Sequence, residues 1–230
     1  MFKDFVALMQ QPNVYSTMFR LTLAVICGGI IGLERVKKRR PAGLRTYMLV
    51  CLGAALTMII SQYLVANGQT TDLSRLGAQV INGVGFLGAG TIIVTGKQQI
   101  KGLTTAAGLW ASACMGLAIG AGFYIGAIVG FVLVLLTITL FSHFEGKIIA
   151  SARNMNIYVE YSSNSDVGRI IDAVKRLDVK IYDVEVKRSK SSDVPYPGCV
   201  VSVRLPKAMP HSVLMAELVS LDGVRTVEEI

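Results

Sequence analysis

Long apolar runs separated by short polar segments dominate the first 142 residues. Each run is close to the ~20 residues that an α-helix needs to cross ~30 Å of hydrocarbon. The runs are Val14–Leu33, Leu44–Ala66, Leu76–Val94, Leu103–Gly120 and Phe123–Phe141. The last two form one apolar stretch, which we divide at Gly120-Ala121-Gly122 because a single helix of that length would overshoot the bilayer. The pattern predicts five transmembrane helices.

After Phe141 the pattern becomes that of a soluble α+β domain, with alternating strands and amphipathic helices. The predicted elements are strand Asn156–Tyr161, helix Asp166–Leu177, strand Val179–Lys187, strand Cys199–Leu205, helix His211–Leu221 and strand Val224–Ile230, with a loop at Ser189–Gly198. This β-α-β-β-α-β order is typical of the ferredoxin-like (ACT-like) fold. The predicted fold class is a membrane α-helical bundle followed by this domain. We expect a transmembrane domain at 1–142, a connector at 143–153 and the α+β domain at 154–230.

Composition and charge support a membrane protein and suggest its orientation. The chain is 52% hydrophobic with 23 further glycines, above the ~45–50% apolar content of soluble domains. Residues 1–142 hold eleven Lys or Arg against three Asp or Glu, while 143–230 hold twelve of each. Basic residues gather after the first run, at Arg35, Lys37, Lys38, Arg39, Arg40 and Arg45, and after the third, at Lys97 and Lys101. The positive-inside rule makes both loops cytoplasmic, so we expect the N-terminus outside and the α+β domain in the cytoplasm.

The start and the basic cluster each allow a further expectation. Met1–Asn13 lacks the pattern of a cleavable signal, so we expect the first span to be retained. The cluster Arg35–Arg40 has two interpretations. It is a topology anchor that touches anionic lipid, or it is a docking site for protein or nucleic acid.

Residues Gly83 to Gly88 form a formal G-x-G-x-x-G, the fingerprint of dinucleotide-binding folds. The motif lies inside an apolar run, and no acidic residue follows about 20 residues later, so we reject nucleotide binding. Helix packing in lipid relies on small residues that let backbones approach closely. Ala78, Asn82, Gly85 and Ala89 share one helical face, and the other runs carry similar small-residue faces.

Ionisable residues are rare within the runs, which contain no Asp or Glu. Arg20 either snorkels to the outer interface or is a buried cation that pairs with Asp72 or with helix carbonyls. We expect Glu34 and Arg45 to form an ion pair that staples the first two helices, with Lys38 dispensable. Trp110 is expected to pack inside a span, and the four cysteines to act as small hydrophobes. No spacing indicates a catalytic residue, a metal site or a cofactor.

Four segments together resemble the MgtC/SapB family of bacterial inner-membrane proteins: GGIIGLER (Gly28–Arg35), RPAGLRTYMLVCLGAAL (Arg40–Leu56), RLGAQVINGVGFLGAGTII (Arg75–Ile93) and KGLTTAAGLWASACMGLAIGAG (Lys101–Gly122). The resemblance implies a multi-pass plasma-membrane protein linked to low-magnesium adaptation, acid stress and intracellular survival in virulence, with the F-type ATP synthase as one partner. With Arg20 added for its position in the first span, the functional residues carried over are Glu34, Arg35, Gly43, Arg45, Thr46, Arg75, Gln79, Asn82, Gly83, Gly85, Gly88, Gly90, Gly102, Thr104, Thr105 and Trp110.

Three functional hypotheses follow. The first is a non-enzymatic regulator that docks on other inner-membrane proteins through small-residue helix faces. The second is an oligomeric channel or carrier for Mg²⁺ or another small solute, and the third, weakest, is a membrane-embedded enzyme. Membrane lipids and a second copy of the chain are expected partners, whereas nucleic acid is not.

Overall fold

The computed structural model describes residues 13–70, 72–94, 100–142, 144, 152–163, 166–187, 196–207 and 209–230. Within these residues the chain forms two compact units, a helical unit that ends at Ser142 and a sheet unit that follows it. The expectations for 1–12, for Lys97, for most of the connector 143–153 and for most of the loop 189–198 concern residues outside this description.

The helical unit consists of α1 Val14–Lys37, α2 Leu44–Ala66, α3 Leu73–Gly90, α4 Leu103–Gly120 and α5 Tyr124–Leu136, which continues as a π-helical turn at Thr137–Phe141. Among the described residues, α1, α2, α4 and the continuous helix Tyr124–Phe141 are long and apolar enough to cross a membrane. The 18-residue helix α3 is not one of these four. Four of the five predicted spans therefore meet these criteria, and the third predicted span, which corresponds to α3, does not.

Helix ends follow local chemistry. Asn13 and Ser16 form a capping box at the start of α1, and Asp72 accepts from the Ser74 backbone N–H at the start of α3. Gly122, with φ +80°, makes the turn between α4 and α5, where the apolar stretch was divided in the sequence. In the π-helical turn, the Thr137 and Thr139 hydroxyls donate to carbonyls four residues earlier, a contact that disturbs regular helix geometry.

Helix α4 is central to the unit because it packs against the other four helices. Its glycines make this possible. A Cβ added at Gly116 or Gly120 would overlap the carbonyl oxygen of Cys51 or Ala55 in α2. Close backbone approach through small residues, predicted from the sequence, is therefore the means by which α2 and α4 pack.

The third predicted run is wrong at its end. Helix α3 stops at Gly90, and two short strands follow, β1 Ile93–Val94 and β2 Ile100–Lys101, which pair antiparallel. The Thr91 hydroxyl donates to the Gly88 carbonyl at the helix end, and the β-branched residues beyond it favour extended backbone. This strand pair brings Gly102, with φ +103°, against the Thr91 carbonyl, where a Cβ would overlap.

The sheet unit has the predicted order of elements: β3 Asn154–Tyr161, α6 Asp166–Arg176, β4 Lys180–Lys187, β5 Gly198–Arg204, α7 His211–Val219 and β6 Val224–Glu229. Its four strands pair antiparallel in the order β4-β5-β3-β6. Alternate residues of β3 and β5 are buried with the apolar faces of both helices in one core.

Candidate functional site at the ends of helix α1

Three charged side chains are buried among the described residues: Arg20, Arg35 and Asp166. Removing an ion from water costs several kcal/mol unless hydrogen-bonding partners compensate. This cost is comparable to the whole net folding stability of a single domain. The partners of these three groups therefore distinguish structural charges from charges that serve another purpose.

Arg20, near the start of α1, is 1% exposed and well supplied with acceptors. Its Nη1 donates to Gln62 Oε1 at 2.7 Å and to the Gly120 carbonyl at 2.8 Å, and its Nε donates to the Tyr124 hydroxyl at 3.2 Å. The guanidinium thus joins α1, α2, α4 and α5. Of the two interpretations of Arg20, the buried cation bound to a helix carbonyl is the one observed, while Asp72 caps its own helix.

Gln62 and Tyr124 were not among the residues selected from the sequence. Gln62 also donates to the Ala121 carbonyl at 3.1 Å, so it serves the same junction. Counting depth in each span would have found both, because the end of α2 and the start of α5 lie at the same level as the start of α1 in an up-and-down bundle.

Arg35, in the last turn of the same helix, is 2% exposed and has a different environment. Neither its Nε nor its Nη1 has a hydrogen-bond partner among the described residues. The α1 dipole favours a cation there by only about 0.3–1 kcal/mol, which does not offset several kcal/mol of lost hydration. Arg35 is therefore a costly buried charge, and its cost is not explained by contacts within the described chain.

The backbone packs tightly around Arg35. A Cβ at Gly32, one turn earlier, would lie 2.7 Å from the Leu44 Cα, and a Cβ at Gly43 would lie 2.8 Å from Val36 Cγ2. Both glycines hold the start of α2 against the end of α1. Gly43, which precedes helix α2, offers no side-chain cap for the first N–H groups of that helix.

Tyr47 connects this junction to α4. The Tyr47 hydroxyl donates to the Thr105 carbonyl at 3.2 Å. A Cβ at Gly108 would lie 2.5 Å from the same hydroxyl oxygen, so Gly108 leaves room for the ring. The fold thus gathers three predicted residues, Arg35, Gly43 and Thr105, and adds Tyr47, which is hard to distinguish by sequence from an ordinary apolar residue of α2.

The predicted Glu34–Arg45 staple is wrong. Within the described residues Glu34 pairs instead with Lys38, one helical turn away, at 3.3 Å, and Arg45 is exposed. Lys38 Nζ also donates to the Ile138 carbonyl at 3.1 Å and to the Ser142 hydroxyl at 2.9 Å. Lys38, expected to be dispensable, is the residue that connects α1 to the end of the last helix.

Helix α3 contributes little to this site. Gly88 is buried against Ala106, whereas Arg75, Gln79, Asn82, Gly83, Gly85 and Gly90 are all exposed. The predicted residues of α3 therefore lie mostly on an outward face.

The remaining predicted residues also differ in whether they lie inside the helical unit or on its outer face. Thr46 is half-buried, and Thr104 borders an apolar groove of about 260 Å³ between α4 and the last helix. Trp110 was expected to pack inside a span. It is instead 49% exposed, because it lies on the outer face of α4.

In the sheet unit, Asp166 is the third buried charge, and it has partners. Its carboxylate accepts from the Arg169 guanidinium and from the Ser163 backbone N–H. The hydrogen bond from Arg169 holds the pKa of Asp166 below the ordinary carboxyl value, with the Ser163 N–H acting in the same direction. A groove of about 510 Å³ on this unit is lined by Arg153, Lys180, Arg204 and Lys207, with Asp178 as its one carboxylate.

Within the described residues no three His, Cys, Asp or Glu side chains lie close enough to hold a metal ion. Cys27, Cys51, Cys114 and Cys199 are all free thiols. Cys27, Cys51 and Cys199 are buried, as expected for small hydrophobes, and Cys114 is half-buried.

These features define a class: a multi-pass helical membrane protein with an appended α+β domain. The chain belongs to the MgtC family, whose sequence profile matches residues 21–147. The family predicted from the four sequence segments is thus confirmed.

Several curated relatives extend beyond the helical unit. A protein of Escherichia coli K12 named "Putative magnesium transporter YhiD" is 34% identical over 216 residues, 91% of this chain and 96% of that protein. Protein SapB of Bacillus subtilis 168 is 30% identical over 90% of this chain and 92% of its own length. Protein MgtC of Brucella abortus 2308 is 46% identical over 99 residues, 43% of this chain and 40% of that protein.

Among solved structures, the ACT domain from GTP pyrophosphokinase of Chlorobium tepidum matches 34% of this chain and 96% of its own. The identity is 18% and the TM-score 0.28.

Proposed function

We propose that this protein is a non-enzymatic regulator of the bacterial inner membrane that acts by docking the outward face of α3 on another membrane protein. In this proposal α3 also crosses the membrane, which gives five spans in total. The N-terminus lies outside, and the sheet unit is a cytoplasmic ferredoxin-like, ACT-like module. The F-type ATP synthase, implied by the family resemblance, is one candidate partner, and a second copy of the chain is another.

The observation that supports this proposal is the composition of the exposed face of α3. A Cβ added at Gly83, Gly85 or Gly90 would meet nothing within 4 Å, and Phe86 is 83% exposed between them. Gln79 and Asn82 are exposed on the same helix. In lipid, amide side chains gain hydrogen bonds when a neighbouring helix covers them, and glycines allow that helix to approach closely.

Two substitutions with equal room in the helical unit test the proposal. Gly85→Leu adds a side chain to the docking face, whereas Gly130→Leu adds the same side chain on α5, where a Cβ also meets nothing within 4 Å. In the native bacterium lacking this protein, Gly85→Leu is expected to fail to restore growth at low Mg²⁺, and Gly130→Leu to restore it at equal expression. Restoration by both variants would contradict docking through α3.

The second candidate function is transport, which the name of the Escherichia coli relative favours. It is separated from docking by flux measurements on the purified protein in proteoliposomes loaded with a Mg²⁺ indicator. Docking predicts the same flux as empty liposomes. Saturable Mg²⁺ flux that survives Gly85→Leu would support the transporter and overturn the regulator.

A further inference from the structure

Arg35 is a buried cation that lacks acceptors within the described chain. Its Nε and Nη1 are sealed from solvent and have no hydrogen-bond partner among the described residues. Buried polar groups in native proteins are nearly always hydrogen-bonded, and buried charges are nearly always paired. The guanidinium therefore needs an acceptor that the described residues do not supply.

The nearest carboxylate does not fill this role. Glu34 interacts electrostatically with Arg35, but it is engaged with Lys38 at 3.3 Å. The positive charge of Arg40 repels that of Arg35. Lys37, Arg39 and Arg40 are exposed around the same turn. The surroundings of Arg35 are thus net positive and favour an anion.

The start of α2 adds further donors. It has no side-chain cap, and the close approach of Gly32 to Leu44 places it beside the last turn of α1. The first N–H groups of a helix have no partner inside the helix, and the helix dipole makes that end attractive to anions. Arg35 lies three residues after Gly32, so the unpaired guanidinium and the uncapped helix start belong to the same α1–α2 junction.

We propose that this junction of α1 and α2 binds a phosphate-type oxyanion, with Arg35 as its anchor. A guanidinium offers paired N–H donors that match phosphate oxygens, and the several positive charges nearby suit a group that carries more than one negative oxygen. The phosphate belongs either to a lipid head group or to a soluble molecule.

The test uses the full chain, purified in detergent without phosphate, with Trp110 fluorescence as the report on unfolding of the helical unit. Sodium phosphate is titrated at constant ionic strength against sodium chloride. The unfolding midpoint of the wild type is expected to rise with phosphate, because a ligand that binds only the folded state stabilises it. Arg75→Met, which removes an exposed arginine at the start of α3, beside the opposite end of α2, is expected to respond equally, and Arg35→Met not at all.

Arg35→Lys guards against a folding defect in the methionine variant. Lysine keeps the charge but loses the paired donors, so its apparent phosphate affinity is expected to fall at least about tenfold. Equal affinity of Arg35→Lys and the wild type would overturn the site, as would an equal response of Arg35→Met and the wild type.

A second arm separates the two sources of phosphate. The same midpoints are measured in nanodiscs of phosphatidylglycerol and of phosphatidylcholine. Arg35-dependent stabilisation by phosphatidylglycerol without any response to free phosphate assigns the site to a lipid head group, and a response to free phosphate assigns it to a soluble phosphate group. No Arg35-dependent response in either arm overturns the proposal.

Discussion

The two ends of helix α1 present the same side chain in opposite circumstances. Arg20 and Arg35 lie fifteen residues apart on one face of the helix, about 22 Å along its axis, and both are almost fully buried. Arg20 binds acceptors from α2, α4 and α5, whereas the Nε and Nη1 of Arg35 bind none among the described residues. Burial alone therefore does not reveal the role of a charge. The acceptors around it distinguish a residue that holds the bundle from one suited to an external ligand.

The largest effect is expected at the Arg20 end. Arg20→Met would leave Gln62 and the Gly120 carbonyl without their donor in a buried position. Each buried polar group that is left without its partner costs about 1–3 kcal/mol, so we expect the free energy of unfolding to fall by about 3 kcal/mol. Titration of the purified protein with SDS, followed by Trp110 fluorescence, measures this loss. A fall of less than about 1 kcal/mol would mean that the Arg20 network is not structural.

A smaller loss of stability is expected from a substitution at the C-terminal end of α1. Lys38→Ala removes the ion pair with Glu34 and the contacts to Ile138 and Ser142, but the side chain is partly exposed, so a loss of about 1 kcal/mol is expected. Arg45→Ala, at an exposed position, is expected to change stability by less than about 0.5 kcal/mol. The same SDS titration checks both, and the reverse ranking would restore the Glu34–Arg45 staple.

The smallest loss of stability is expected in the sheet unit, from replacing the buried Asp166. Its folded-state pKa is lowered by Arg169, so its contribution to stability is present above the ordinary carboxyl pKa of about 3.9 and is lost as the pH falls through the folded value. Asp166→Asn lacks this contribution at every pH. Hydrogen exchange of the β3 and β5 amides, corrected for intrinsic rates, should show the two proteins differing at neutral pH and converging in acid. A constant difference would show that the charge is not involved.

The sequence predicted the elements better than it predicted their partners. Helices α2 and α4 have the predicted bounds because glycine and proline mark their ends. Spacing selected the face of α3 that carries Gly85, but in the folded unit Gly77 and Gly88 face α4 while Gly83 and Gly85 do not. The Glu34 pairing failed because a residue four positions along the same helix is nearer than one across a loop.

If Arg35 takes its partner from outside the described residues, Arg35→Met should lose no stability when that partner is absent. The measurement is the free energy of unfolding in phosphate-free detergent, with Arg20→Met alongside. Replacing an unpaired buried charge with an apolar side chain of similar volume removes a desolvation cost without breaking a bond. Arg35→Met is expected to be at least as stable as the wild type, while Arg20→Met is expected to be destabilised. A loss of stability in Arg35→Met as large as that in Arg20→Met would contradict this expectation.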